Sequence, residues 1–326
     1  MTPGPDFALT RRALMQGALI APLLAPAARA ESGLRPAKRP GPPPAADPAL
    51  AALVAQVSRQ RLRADVTALS AFPTRWTLAP DFPAVEEWMA AAFLATGAAP
   101  EVVTRQAYTT GSGLRRHNIL CGDPLSGRRV ILVGAHVDSI SEQPALLAPG
   151  ANDNATGIAA MLEARRLLSA LTFEREIVCV AFSGEEQGLE GSAFCSATAR
   201  REGWPVDLMV NLDMLGHRPD DPAAPLYIEY DQGNAVAAND GAARGYGLMA
   251  ARMAAAHSTL AVAHTDIWDS DYMPFEAAGF ACIGLYDGGV ESPRYHSSTD
   301  TAEAVDFARL EQAVRLLVAT LATAAA

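Results

Sequence analysis

Two continuous apolar, β-branched runs dominate the middle of the chain, Arg129–Ala135 and Glu176–Phe182. Neither alternates polar with apolar positions, which predicts strands buried on both faces rather than strands with one wet face. Leu208–Leu212 and Ala281–Tyr286 have the same pattern. Thr156–Ala170 and Gly188–Arg201, which separate the first three runs, have helical composition. In the last segment Phe307, Leu310, Val314, Leu317 and Leu321 recur at helical spacing. Strands alternating with helices predict a three-layer α/β fold.

The beginning of the chain follows a different pattern. Arg11-Arg12 precede an apolar stretch from Ala18 to Ala28, and Ala28-Arg29-Ala30 supplies the small residues a signal peptidase needs. Residues 1–30 therefore read as a twin-arginine export signal, with a periplasmic or secreted destination. The apolar stretch is too short to span a bilayer and contains Pro22 and Pro26, so no stable membrane insertion is expected once the signal is removed. Residues 31–46, which include Pro42-Pro43-Pro44, read as an extended linker. From residue 47 to 326 no second linker or internal repeat appears, and a single catalytic domain is the simplest organisation.

Half of the 326 residues are hydrophobic, enough for a large core. The formal charge of −10 argues against nucleic acid and anionic membrane surfaces as partners. Cys121, Cys179, Cys195 and Cys282 lack metal-type spacing, and two of them fall in apolar runs, which predicts buried free thiols.

The chemistry-bearing residues sit at the ends of these elements. His136 and Asp138 follow the first strand run, where open α/β sheets present ligands, and Asp138 is spaced to accept a hydrogen bond from the His136 ring. Asp153 lies in Asn152-Asp153-Asn154 just before a helix. Taken alone it reads as a capping residue; taken with the other motifs it is a carboxylate able to bridge two cations. Glu185-Glu186 follow the second strand run. Adjacent carboxylates repel, and the pair is best accommodated if a metal neutralises one while the other acts as general base toward water. Asp213 ends an apolar run, where a carboxylate needs a partner such as a cation. His296 stands in a polar loop before the last helix. Taken singly, each of these motifs also fits an ordinary loop.

In this order, across roughly Arg129 to Asp300, the motifs resemble the zinc-dependent exopeptidases of the M28 aminopeptidase family. The resemblance implies an αβα sandwich around a central mixed, mostly parallel sheet, the zinc-exopeptidase and phosphorylase/hydrolase-like architecture. It implies two zinc ions, with His136 and Asp213 on one, Glu186 and His296 on the other, and Asp153 between them. Glu185 becomes the general base, and Tyr295 a donor to the tetrahedral oxyanion. A cis peptide after the bridging aspartate, Asp153-Asn154, is also implied. Ser270-Asp271-Tyr272-Met273-Pro274-Phe275 resembles the family's SDHxPF stretch, with tyrosine in place of histidine. Asp271 is thereby a candidate support for a metal site, and His264 and Trp268 are candidates for the pocket wall.

The expected function is an exported metallo-aminopeptidase acting on peptides. Carboxypeptidase and glutaminyl cyclase activities on the same fold, and a metal-free binding module, stay open at this point. An inserted lid domain does not fit, because only 83 positions separate Asp213 from His296.

Overall fold

The computed structural model describes residues 47–217, 223–233, 236–287 and 292–326. The expected signal and linker, 1–30 and 31–46, lie outside the described residues.

Three helices come first: α1 (Pro48–Val54), α2 (Arg59–Ser70) and α3 (Phe82–Ala95). The Asp47 side chain caps α1 by accepting Ala49 N–H, and Pro48 takes the first turn, where no N–H is needed. A hairpin of β1 (Val103–Thr109) and β2 (Arg115–Cys121) follows. The alternating core then runs β3 (Val130–His136), α4 (Thr156–Leu168), β4 (Glu176–Phe182), α5 (Glu190–Glu202) and β5 (Val206–Asp213). It closes with β6 (Leu226–Glu229), α6 (Asp240–His257), β7 (Val262–Thr265), α7 (Tyr272–Ala277), β8 (Cys282–Tyr286) and α8 (Phe307–Ala325).

The eight strands form one mixed sheet in the order β1-β2-β4-β3-β5-β8-β6-β7. At its centre β4, β3, β5 and β8 are mutually parallel, and the flanking β1, β2 and β6 supply the antiparallel pairings. The predicted three-layer α/β architecture is therefore the observed one. The continuous apolar runs are the parallel strands because helices cover both of their faces. Ile131, Val133, Ile177 and Cys179 point into the larger core with α2, α4, α6 and α8, whereas Val130, Leu132, Val178 and Val180 pack toward α5 and α7. All four cysteines are buried and free. Among the described residues no helix is long and apolar enough to cross a membrane.

The sequence reading placed no element at β1, β2, β6 or β7. Those strands lie toward the sheet edges, where β1 mixes exposed and half-buried positions, β7 is half-buried throughout, and neither gives a continuous apolar run.

Candidate metal centre

Parallel strands end on one edge of the sheet, so the loops after β3, β4, β5 and β8 converge. His136 is the last residue of β3 and Asp213 the last of β5. Glu185 and Glu186 follow β4 after Gly184, whose φ of +76° turns the chain sharply at the strand end and whose N–H donates to Thr77 Oγ1 at 2.9 Å. Asp153 enters from the turn Ala151–Ala155 before α4, through a cis Asp153-Asn154 peptide. His296 arrives from the loop between β8 and α8.

The structure brings all five expected ligand residues together. His136 Nε2 lies 3.3 Å from Asp153 Oδ1 and 3.5 Å from Asp213 Oδ1. On the other side, His296 Nε2 lies 3.3 Å from Asp153 Oδ2 and 3.0 Å from Glu186 Oε2. Donor atoms held about 2.0–2.1 Å from one tetrahedral zinc ion stand about 3.3 Å apart, so both sets have the right spacing for one ion each. Donor atoms of His136, Glu185 and Asp213 also lie within 4.8 Å of one another, as do those of His136, Asp153 and Glu186. Glu186 Oε1 and Asp213 Oδ1 are buried without a hydrogen-bond partner among the described residues. Orphaned carboxylate oxygens in such a place are costly unless a cation takes them.

The electrostatics agree with a site completed by positive charge. Burial pushes the His136 imidazole down, but Glu185, Asp153 and Asp213 overcome it and hold the ring well above its ordinary value. Burial likewise opposes the His296 charge, and Asp153 and Glu186 raise it to about 10. Burial lifts Glu186 to about 7, with Asp153 adding to the rise, and lifts Glu185 well above the ordinary carboxylate range, with Glu186, Asp271 and Asp213 adding to it. Asp153 is held far down despite its burial, because both histidines hydrogen-bond to it.

One expectation is corrected. The Asp138 carboxylate does not accept from the His136 ring; the nearer partner of His136 Nδ1 is the Asp138 main-chain oxygen at 3.3 Å, with Asp138 Oδ1 at 3.8 Å. Asp138 sits beyond the strand end, and its two oxygens are taken by Glu185 N–H and Glu186 N–H, each at 3.3 Å. It thus ties the β3 loop to the β4 loop.

Tyr295 stacks on the His296 ring with centroids 3.7 Å apart, and its hydroxyl is pushed up by burial and by the surrounding carboxylates Asp153, Glu186, Asp213 and Glu185. Asp271 is fully buried and lifted to about 7 by burial, close enough to Glu185 to raise its carboxyl in turn. His264 is packed edge-on against Tyr230, while Trp268 is 43% exposed on the loop before α7. The sequence reading missed Ser270 as the hydrogen-bond donor to Asp213 Oδ2, and it missed Asp300, which accepts the N–H groups of Asn152 and Asp153. It also missed Arg75, whose partners are all main-chain oxygens and leave no motif.

Comparison with known proteins matches the model of peptidase family M28 to residues 120–321. The chain is 31% identical over 198 residues to Aminopeptidase YwaD of Bacillus subtilis, an alignment covering 59% of this chain and 40% of that protein. It spans about two fifths of the length of the curated relatives that match it in this way. The crystal structure of BSAP, a zinc aminopeptidase from Bacillus subtilis, superposes with a TM-score of 0.54 at 29% identity, over 64% of this chain and 50% of that one. LapB from Legionella pneumophila superposes with a TM-score of 0.74 at 19% identity, over 87% and 77%, and this likeness is one of fold.

Proposed function

The chain belongs to peptidase family M28, and from that premise we propose that it is a zinc-dependent aminopeptidase removing N-terminal residues from peptides. His136 and Asp213 would hold one zinc ion, Glu186 and His296 a second, and Asp153 would serve both. The observation that carries this reading is the division of Asp153: Oδ1 faces His136 and Oδ2 faces His296, each at 3.3 Å. A carboxylate shared in that way suits two cations better than one.

When bound, the ions supply Lewis-acid polarisation of the scissile carbonyl and activation of the attacking water. The chain's own residues do the rest. Glu185, half-buried and held above the ordinary carboxylate range, receives the proton from water at its carboxylate and delivers it to the leaving amine. Tyr295 donates its hydroxyl to the developing oxyanion, with its ring kept in place by stacking on His296. Asp138 fixes the main chain under Glu185 and Glu186. No covalent intermediate is needed.

The excess of buried carboxylates around the site, Asp153 and Asp271 among them, favours a substrate carrying a free ammonium over one presenting a carboxylate. That supports an aminopeptidase over a carboxypeptidase. Residues 47–326 form the single catalytic domain, and residues 1–30 export it by the twin-arginine route.

The test is hydrolysis of aminoacyl anilides and matched N-blocked peptides, with zinc counted per chain. Chelator-sensitive release from free-amine substrates alone, at two ions per chain, is expected. Release from N-blocked peptides would redirect the reading to a carboxypeptidase, and one ion with cyclisation of N-terminal glutamine to a glutaminyl cyclase. Folded protein that takes up no zinc and hydrolyses nothing would be a binding module.

A further inference from the structure

Arg75 is fully buried, yet its guanidinium is aimed at main-chain oxygens rather than at a carboxylate. Nε donates to Val137 O at 2.8 Å, Nη2 to Gly150 O at 2.7 Å, and Nη1 to Leu69 O at 3.2 Å and to Pro149 O. Four of the five N–H groups of an arginine are used, spread over three separate segments. Val137 directly follows His136, and Pro149-Gly150 lead into the Asp153 turn. Gly150 has φ +49°, and a Cβ there would clash with Asp153 O and Ser139 Cβ and meet Arg75 Nη2 at 2.9 Å, so only glycine fits between the turn and the guanidinium.

The same turn is gripped from the opposite side. Asp300 accepts Asn152 N–H on both oxygens at 3.0 Å and Asp153 N–H on Oδ2 at 2.9 Å, and its main-chain oxygen accepts Ala151 N–H at 3.0 Å. The carbonyls of residues 149 and 150 therefore rest on a cation, and the amides of residues 151–153 on Asp300. The flanking backbone adds ties of its own: Ser139 N–H donates to Arg75 O, Ala148 N–H to Pro73 O, and Thr74 Oγ1 to Pro144 O. Segment 73–75 thus braces the whole loop from His136 to Asp153.

We propose that Arg75 and Asp300 are a pair of positioning residues that clamp the turn at residues 149–153, so that Asp153 presents one oxygen to His136 and the other to His296 before any cation arrives. The inference rests on the two-ion reading above. Preorganisation is what the geometry supplies: a carboxylate on a loosely held turn would have to be ordered at the moment of metal binding, with a loss of affinity. The guanidinium fork is essential because it reaches three segments at once. A lysine ammonium in the same place is a compact charge on a flexible stem and cannot span them.

The experiment uses the metal-free full-length protein and the variants Arg75→Lys, Arg75→Met and Asp300→Asn, each first checked for folding by circular dichroism and thermal melting. Amide hydrogen exchange is read at residues 148 and 150–154 and in β3 and β4, and zinc affinity is then measured by competition with a chromophoric chelator. Expected is exchange at the turn at least tenfold faster with β3 and β4 unchanged, together with zinc affinity at least tenfold weaker, and no rescue by Arg75→Lys. Turn exchange like that of the wild type, or looser exchange with unchanged zinc affinity, would overturn the proposal. Equal acceleration throughout the protein would overturn it too, as general destabilisation. Where the Arg75 variants do not fold, Asp300→Asn, which keeps the shape of the side chain and removes its charge, is read in their place with the same expectations. Failure of the two-ion reading shows separately, in the zinc titration of the wild type.

Discussion

The Ser270 hydroxyl donates to Asp213 Oδ2 at 2.7 Å, which leaves Asp213 Oδ1 as the oxygen facing His136 Nε2. Ser270 in turn accepts from Asn211 Nδ2 at 2.8 Å, so the donor direction of the hydroxyl is fixed from behind. A ligand carboxylate oriented in this way binds metal better than one free to rotate. Ser270→Ala is therefore expected to weaken binding of one zinc ion by roughly 10–100-fold, with the other unaffected. Two-step chelator competition checks it, and two unchanged affinities would remove Ser270 from the centre.

Glu185 and Glu186 are neighbours in sequence with different expected roles. Glu186 Oε2 meets His296 Nε2 at 3.0 Å, whereas among the described residues the Glu185 carboxylate has no histidine that close, which suits it to moving a proton. Glu185→Gln keeps the shape and removes the base. Zinc content should stay at the wild-type level while kcat falls by about 10²–10⁴-fold. Loss of zinc from this variant would make Glu185 a ligand instead, and full turnover would end its role as base.

These two predictions also mark what the sequence discloses. The five ligands and Glu185 are legible because each lies at the end of a strand run or beside a helix start, where periodicity stops and a polar residue stands out. Ser270, Asp300 and Arg75 are not legible as supports, because what they hold is distant in sequence: Arg75 reaches across 62 to 75 positions and Asp300 across 147 and 148. Asp138 stands in the expected loop but with a different partner. Spacing along one strand ignores the neighbouring β4 loop, whose N–H groups claim its carboxylate.

Zinc binding should depend on pH in a definite direction. In the metal-free protein His296 is held up to about 10 and Glu186 to about 7, so near neutrality His296 carries a proton and Glu186 is partly protonated. Ligation needs both groups deprotonated, so the bound state holds fewer protons and affinity rises with pH. The rise is steepest below about pH 7, where ligation must displace protons from both groups, and shallower from there toward pH 10, where only His296 still carries one. Calorimetric titrations between pH 6 and 8, in buffers of different ionisation enthalpy, should detect proton release on binding. Affinity flat across that range would contradict the assignment of these two residues as ligands.

Tyr272 takes the position that holds histidine in the SDHxPF pattern, and the exchange has a structural counterpart. The fully buried Tyr272 hydroxyl donates to Glu229 Oε2 on β6 at 2.8 Å and accepts Trp268 N–H at 2.7 Å. It therefore anchors the loop from Trp268 to Ser270, the same loop that orients Asp213. Tyr272→Phe keeps the ring, which packs against Gly284 so closely that a Cβ there would meet Tyr272 Cε1 at 2.6 Å. The variant loses only the hydroxyl, leaving the Trp268 N–H without its acceptor and taking one donor from a buried carboxylate, at a cost of about 1–3 kcal/mol. Denaturant unfolding should register that loss. Zinc affinity should fall with it, because Ser270 loses its fixed place beside Asp213. If stability drops and zinc affinity does not, the hydroxyl supports the fold alone and the link from α7 to the metal centre fails; if neither changes, Trp268 is held by something other than Tyr272.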